Sequence, residues 1–357
     1  MTIVGLDIGG ANIKAADQQG QTLSRPFAIW RHPERLAAEV ASILRSFPGC
    51  DGVALTMTAE LADCFTTKAE GVTSILDSVE AGMRDLSNAT TSHDLATPAA
   101  KLSVWTTRGR FVDAQTAREQ TEAVAAANWH ALATWCGQFS PAGSGLLVDI
   151  GTTTTDLIPL HEGRPVSLGL TDLSRLQSGE LCYSGIRRTP ICALAHSVPF
   201  RDGYCPLAAE IFATTLDLYL LLGDLAEDAN DLETANGKPA TRAEARHRIV
   251  RTLCSDGNAI SQNEAIEMAR FLADVQRQRL AGSLERVLAR QSSPCQTVLV
   301  SGSGEFLARR LVKENRKTAT AKIISLKEKF SDGIAEAACA YAVAQLCHRG
   351  DRTSVPA

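Results

Sequence analysis

The sequence has no run of about 18 apolar residues, so no membrane-spanning helix is expected. Its ten cysteines include no Cys-x-x-Cys pair and no zinc-type spacing. A chain of this size has no need of disulfide staples, so reduced thiols in a cytoplasmic protein are the simpler reading. Neither sign of charge dominates: 36 Lys and Arg against 40 Asp and Glu give a net charge of −4, and the basic clusters are short. Nucleic acid and anionic membranes are therefore not expected as partners. The start, Met1-Thr2-Ile3-Val4-Gly5, lacks a basic segment and enters a strand at once, which argues against a signal peptide. What remains is an ordinary globular balance, 45% hydrophobic and 21% charged over 357 residues, enough for two domains with separate cores.

Residues 3–8 read as a buried strand, followed by a Gly-Gly turn and a second strand over 12–16. A helix over 33–46, a strand over 52–57, a helix over 69–84 and a hairpin over 103–112 turning at Arg108-Gly109 come next. An alanine-rich amphipathic helix is predicted over 117–138, and Pro141 and Gly143 then mark a domain boundary at 140/141. Beyond it the opening pattern returns: Leu147-Val148-Asp149-Ile150-Gly151, a turn, and a strand over 155–160, beside Leu6-Asp7-Ile8-Gly9. A duplicated hairpin suggests two related halves facing each other. Helices over 208–222 and 263–291, with polar residues 224–256 between them, read as a helical insertion in the second domain (141–347). A strand over 297–301, a helix from Glu305, a closing helix over 332–347 and a tail over 348–357 complete the chain.

Three glycine-containing turns stand out. In Asp7-Ile-Gly-Gly-Ala-Asn-Ile-Lys14, Gly9 and Gly10 remove Cβ atoms where amides can close on an anion, and Asn12 and Lys14 add a donor and a charge. Asp7 at the strand end can hold Mg2+, since hard cations prefer oxygen ligands. Asp149-Ile-Gly-Thr-Thr-Thr-Thr-Asp156 places Gly151 and the hydroxyls of Thr152, Thr153 and Thr154 between two carboxylates. In Val298-Leu-Val-Ser-Gly-Ser-Gly-Glu305, Gly302 and Gly304 end a strand before a helix whose N-terminus favours anions. Singly each is weak; in this order they are specific.

On these three loops the sequence resembles the acetate kinase/sugar kinase/heat-shock/actin superfamily. The resemblance implies an α/β fold of two ribonuclease-H-like (actin-like ATPase) domains around a cleft. Thr56-Met-Thr-Ala-Glu-Leu-Ala-Asp-Cys-Phe-Thr-Thr-Lys-Ala-Glu-Gly-Val72 and Tyr183-Ser-Gly-Ile-Arg-Arg-Thr-Pro190 further resemble the hydantoinase/oxoprolinase-related proteins of tetrahydromethanopterin-linked C1 transfer. That branch includes the methanofuran-biosynthesis condensing enzyme. The resemblance implies condensation of an aminomethylfuran-methyl diphosphate with the phenol of γ-glutamyltyramine or a tyrosine-like acceptor, releasing pyrophosphate.

Such a reaction needs positive charge on the departing diphosphate and a base for a phenol of pKa about 10. Asp7, Asp149 and Asp156 are assigned to Mg2+, and the two hairpin turns with Lys14 to the diphosphate. Glu60, Asp63 and Lys68 follow the 52–57 strand. Glu60 is the first choice of base against a plain helix-start acid, and Lys68 divides between phosphate binding and a solvated face. Of Arg187 and Arg188, one is expected to grip a carboxylate or phosphate, with Tyr183 touching substrate. Arg242, Arg246, Arg248 and Arg251 read as a charged helix face, and Cys64 as structural. ATP is left open but not required, as is a homodimer. Two other readings stand beside this one: an ATP-dependent small-molecule kinase or hydantoinase-like hydrolase, and a sugar-kinase-like regulator, disfavoured because the first strand leaves no room for a DNA-binding helix-turn-helix.

Overall fold

The computed structural model describes residues 1–90 and 100–350. Most of the elements predicted from sequence are present, and the tail beyond residue 350 lies outside the described residues. The first sheet contains β1 (Thr2–Ile8), β2 (Asn12–Asp17), β3 (Thr22–Pro26), β4 (Cys50–Met57), β5 (Lys101–Trp105) and β6 (Phe111–Val112) in the order 3-2-1-4-5-6. Strands β1 to β3 pair antiparallel, whereas β4 joins β1, and β5 joins β4, in parallel. This is the ribonuclease-H-like arrangement. The second sheet, from β7 (Ser144–Ile150), β8 (Thr155–His161), β10 (Leu181–Cys182), β13 (Thr297–Ser301) and β14 (Lys322–Ser325), runs 10-8-7-13-14, with β9 (Arg164–Pro165) on β8. A hairpin flanked on its first strand by two later strands thus recurs, and the α/β actin-like fold class is the one observed. A separate hairpin, β11 (Ser197–Phe200) and β12 (Gly203–Pro206), had no signal in the sequence reading.

The chain divides into two compact units. One comprises Met1–Gly145, Ile158–Arg175 and the residues from Ile324 onward; the other comprises Leu146–Leu157 and Leu176–Ile323. A single boundary at 140/141 does not describe this division, because the closing helices belong with the first sheet.

In the first unit Val4, Leu6 and Ile8 of β1 are fully buried, as expected of a central strand covered on both faces. Helices α1 (Leu36–Arg45) and α2 (Lys68–Thr90) pack against each other and contribute Val40, Ile43, Val72, Ile75 and Val79 to its core. The alanine-rich segment after β6 is three short helices, α3 (Ala114–Glu119), α4 (Thr121–Val124) and α5 (Asn128–Cys136), instead of one over 117–138. Tertiary bonding overrides alanine's helix propensity here. The carbonyl of Ala123 is taken by the backbone N–H of Thr107, at 2.8 Å, and Ala126 turns at φ +46°.

The second unit carries α7 (Ile191–Leu194), α8 (Thr215–Leu222), α9 (Arg242–Arg251), α10 (Gln262–Ala289) and α11 (Glu305–Glu314), with α6 (Asp172–Ser178) at the boundary. The helix predicted from 208 begins only at Thr215, where Thr214 and Asp217 form a capping box. Arg248 corrects the reading of α9 as a solvated charged face. Its side chain is buried, with Nε 2.7 Å from the equally buried Asp217. Arg246 likewise turns inward, donating to the carbonyls of Gly257 and Ile260.

Back in the first unit, α12 (Leu326–Lys329), α13 (Asp332–Glu336) and α14 (Ala338–His348) close the chain, so the helix predicted over 332–347 is interrupted at Ala337. Helix α14 lies directly on the backbone of β1, since a Cβ at Gly5 would fall 1.9 Å from the carbonyl oxygen of Ala340. Gly5→Ala is therefore expected to lower the unfolding free energy in urea by about 3 kcal/mol. Gly10→Ala, whose Cβ meets nothing within 4 Å, should change it by less than about 1 kcal/mol.

Candidate functional site

In the first unit the chemistry gathers at the ends of β1 and β4. Register places Asp7 between Lys14 on β2 and Thr56 on β4, so a cation, a carboxyl and a hydroxyl form a row across three strands. Asp7 is 8% exposed, its Oδ1 has no hydrogen-bond partner, and the buried Thr56 Oγ1 has none either. Burial pushes Asp7 up to about 6, with Lys14 pulling the other way. The turn beyond is tight: the N–H of Gly9 donates to the carbonyl of Asn12 at 3.0 Å, and a Cβ on Gly9 would lie 2.9 Å from that oxygen. Gly10 is open, as a turn that receives a ligand requires.

Glu60 follows β4 and is 1% exposed, with Oε2 unpartnered. Burial raises its pKa to about 7; its own backbone N–H, Lys68 and the N–H of Ala126 oppose the rise, and the Asp172 carboxylate adds to it. A glycine makes this placement physical. A Cβ on Gly71, in the first turn of α2, would come 2.2 Å from the carbonyl oxygen of Glu60, so the helix start rests on the Glu60 backbone. Lys68 is half-buried, 4.0 Å from Glu122. Asp63 is exposed, and Cys64 is held near the carbonyl of Ile29. Sequence reasoning missed Thr56, Asp172 and Ala126; only Gly71, an unexpected glycine in a helix, offered a signal.

In the second unit the Gly151–Thr154 turn is built against the Tyr183–Pro190 segment. The N–H of Ile186 donates to the Gly151 carbonyl, and those of Arg187 and Arg188 donate to the Thr152 carbonyl, at 3.0–3.1 Å. A trans peptide points its N–H opposite to its C=O. The N–H groups of Thr152 and Thr153 therefore face away from the supporting segment, the orientation an anion-binding turn needs. Gly185 permits the approach, because its Cβ would lie 2.5 Å from the Thr152 carbonyl carbon. Below it, buried Gln276 donates to Ser184 Oγ and the Gly185 carbonyl and accepts from Tyr219 Oη at 2.6 Å, while Thr155 and Thr215 hydroxyls bond Ser184 and Gly185. The third loop joins this assembly: the Gly304 N–H donates to the Ile150 carbonyl at 2.8 Å, and Gly302, at φ +85°, leaves room for the Asp149 carboxylate. Asp149 and Asp156 are half-buried, Tyr183 is 71% exposed and Arg188 is exposed. Arg187 already has an anionic partner, with Nη2 2.5 Å from Asp231 Oδ2.

Among the described residues no group of three or more His, Cys, Asp or Glu is arranged to hold a metal ion. The buried, unpartnered Oδ1 of Asp7 fits a hydrated hard cation.

The stability consequence of the two buried acids has a definite sign. Each has a folded-state pKa above its ordinary value, so its contribution is full at low pH and is lost as pH rises through about 6 for Asp7 and about 7 for Glu60. Asp7→Asn and Glu60→Gln should each exceed the parent in unfolding free energy at pH 8, by on the order of 2 kcal/mol. That advantage should vanish by pH 4 in urea titrations.

Comparison with known proteins agrees with this architecture. The family model described as hydantoinase/oxoprolinase matches residues 51–349. The chain is 31% identical over 351 residues to the (4-{4-[2-(gamma-L-glutamylamino)ethyl]phenoxymethyl}furan-2-yl)methanamine synthase of Methanocaldococcus jannaschii, covering 97% of this chain and 98% of the relative. A synthase of the same name from Methanococcus vannielii is 33% identical over 201 residues, 56% of this chain and 89% of that one. In fold the chain is similar to nucleotide-free acetone carboxylase, with a TM-score of 0.52 at 11% identity, over 97% of this chain and 70% of that chain.

Proposed function

This chain belongs to the hydantoinase/oxoprolinase family, and we propose that it is a transferase joining an aminomethylfuran-methyl diphosphate to a phenolic acceptor, γ-glutamyltyramine or a tyrosine-like compound, with release of pyrophosphate. The observation that carries the reading is the match along 97% of the chain to a synthase whose named product is a phenoxymethylfuran. An aryl ether of that kind requires a phenol oxygen to reach a furfuryl carbon.

The residues divide the work by chemistry. Glu60 takes the phenol proton: a carboxyl near pKa 7 is half-ionised at neutral pH, and its Oε2 is not committed elsewhere. As the phenol oxygen bonds the furfuryl carbon, the bond from that carbon to diphosphate oxygen breaks and the electron pair leaves with diphosphate. Furan donates electrons to the carbon, which favours a loose transition state. The Gly9–Lys14 and Gly151–Thr154 turns are assigned to phosphate oxygens, and Lys14 supplies a positive charge. Mg2+, when bound, would neutralise charge on the leaving group; Asp7 is the carboxylate proposed for it in the first unit, and Asp149 and Asp156 are the candidates in the second. Asp63, Lys68 and Arg188 are kept as catalytic candidates, Gly302 and Gly304 as phosphate contacts and Tyr183 as a substrate contact. ATP has no part in this scheme, and the site is taken to work in a cytoplasmic enzyme.

Incubation with the furan diphosphate and γ-glutamyltyramine or tyrosine should release pyrophosphate and form the ether without ATP. Ether formation that requires ATP, or ATP turnover with no reaction of the furan diphosphate, would overturn the proposal. Glu60→Gln should lower kcat by about 10²- to 10⁴-fold and remove a rise in kcat/KM centred near pH 7. Asp7→Asn and Asp149→Asn should each cost at least about 100-fold with the fold intact by circular dichroism.

A further inference from the structure

Strand alternation fixes the face of the first sheet on which Lys14, Asp7 and Thr56 stand. Val4, Leu6 and Ile8 of β1 and Val53, Leu55 and Met57 of β4 belong to the core cluster shared with α1 and α2. Successive side chains along a strand point to opposite faces, so those of Asp7 and Thr56 lie on the other one, with Gly5 and Ala54. There Gly5 is flanked by Ala16 and Ala54, and α14 lies on this row of small residues. The next row toward the strand ends is Lys14, Asp7 and Thr56.

The main chain around that row is held in place. Ile8 pairs with Met57, and just beyond the strands the Thr58 N–H donates to the Ile8 carbonyl at 2.9 Å. Neighbouring strands lie about 4.8 Å apart, so side chains of paired residues on one face reach each other by rotation alone. Two polar atoms of the row have no bond to make as they stand. Thr56 is 0% exposed and Asp7 8%, and Thr56 Oγ1 and Asp7 Oδ1 are both sealed from solvent without a hydrogen-bond partner. A sealed hydroxyl without a partner costs free energy that a valine of similar size would not. The two groups are complementary, because a hydroxyl donates and a carboxylate accepts. On the opposite flank Lys14 is only half-buried, and its ammonium sits on a flexible stem without the fixed direction of a strand hydroxyl.

We propose that Thr56 is a positioning residue for the cation assigned to Asp7: its hydroxyl donates to one carboxylate oxygen and turns the other toward the metal. The inference rests on the reading of Asp7 as a Mg2+ carboxylate of the transferase. Groups that hold a ligating carboxylate in place are worth about 10- to 100-fold in metal affinity. The unpaired hydroxyl of the metal-free protein is then a cost carried for the loaded state.

The test reads metal binding by the full chain, with no turnover. Mn2+ is titrated alone, followed by electron paramagnetic resonance, and as its pyrophosphate complex, followed by calorimetry. The parent should bind Mn2+ at a site that Asp7→Asn loses. Thr56→Val should bind it about 10- to 100-fold more weakly, whereas Thr56→Ser, which keeps the donor, should stay close to the parent. Thr56→Val added to Asp7→Asn should change nothing further, because the hydroxyl acts through the carboxylate. In EDTA, Thr56→Val should melt at or above the parent temperature, since it removes an unpaired buried hydroxyl. Parent-like Mn2+ affinity in Thr56→Val, an equal loss in Thr56→Ser, or a parent that binds Mn2+ in neither form would overturn the proposal. Melting of Thr56→Val well below the parent in EDTA would also overturn it, by making the hydroxyl a structural bond. Ether formation is measured separately. The expected Mn2+ pattern without ether formation removes the transferase reading alone, and ether formation without that pattern removes the role of Thr56 alone.

Discussion

Backbone lying directly on backbone is the constraint from which the rest of this structure follows. Helix α14 can touch β1 only because residue 5 has no Cβ, and α2 can rest on Glu60 only because residue 71 has none. The Tyr183–Pro190 segment meets Thr152 at Gly185, and the Gly302–Gly304 loop meets the end of β7 at Gly302. At each of these contacts a side chain would push two main chains apart by more than a flexible group can absorb. Within each unit, then, the site is positioned by packed backbone, and the functional side chains inherit that rigidity.

That rigidity lets the protein hold two carboxyls where water cannot compensate them. Asp7 and Glu60 are displaced mainly by burial, and neither has a full set of hydrogen-bond partners. A fold selected for stability alone would place an apolar residue or a paired acid at such positions. Their retention is intelligible if the buried oxygens meet their partners in the ligand-bound state, and if a base near neutrality is the property required. Arg248 and Asp217 are the contrasting case. They are equally buried and fully paired, so they hold the second unit's helices together and have nothing left to offer a substrate.

Much of this was legible in the sequence because it rests on local chemistry. The repeat of apolar strand, Asp, Ile, Gly and turn gave both hairpins and, with the third glycine loop, the fold class. Glu60 was readable as a candidate base from its place just after a strand. Its burial was not, since that depends on Gly71 in α2 and on Ala126 in the turn between α4 and α5. Thr56 escaped notice because threonine is ordinary in a strand; its meaning comes from the register that sets it opposite Asp7. The long alanine-rich helix failed for a related reason: propensity described the segment correctly in isolation, but the Ala123 carbonyl is taken by the N–H of Thr107, in the turn between β5 and β6.

The arginines show most clearly where sequence and structure part. The sequence reads Arg187, in a Gly- and Pro-punctuated segment, as a candidate anion grip and Arg248, on a helix, as a solvated charge, yet residue type alone does not say which is buried. In the structure Arg248 is sealed against an aspartate in the core, while Arg187 reaches an aspartate from a partly exposed position. The difference in solvent access decides what each pair can do. Exchange of partner at Arg248 would leave a buried aspartate uncompensated, a cost of several kcal/mol. Arg187 and Asp231 are 22% and 21% exposed, so water reaches that pair and it adds little to stability.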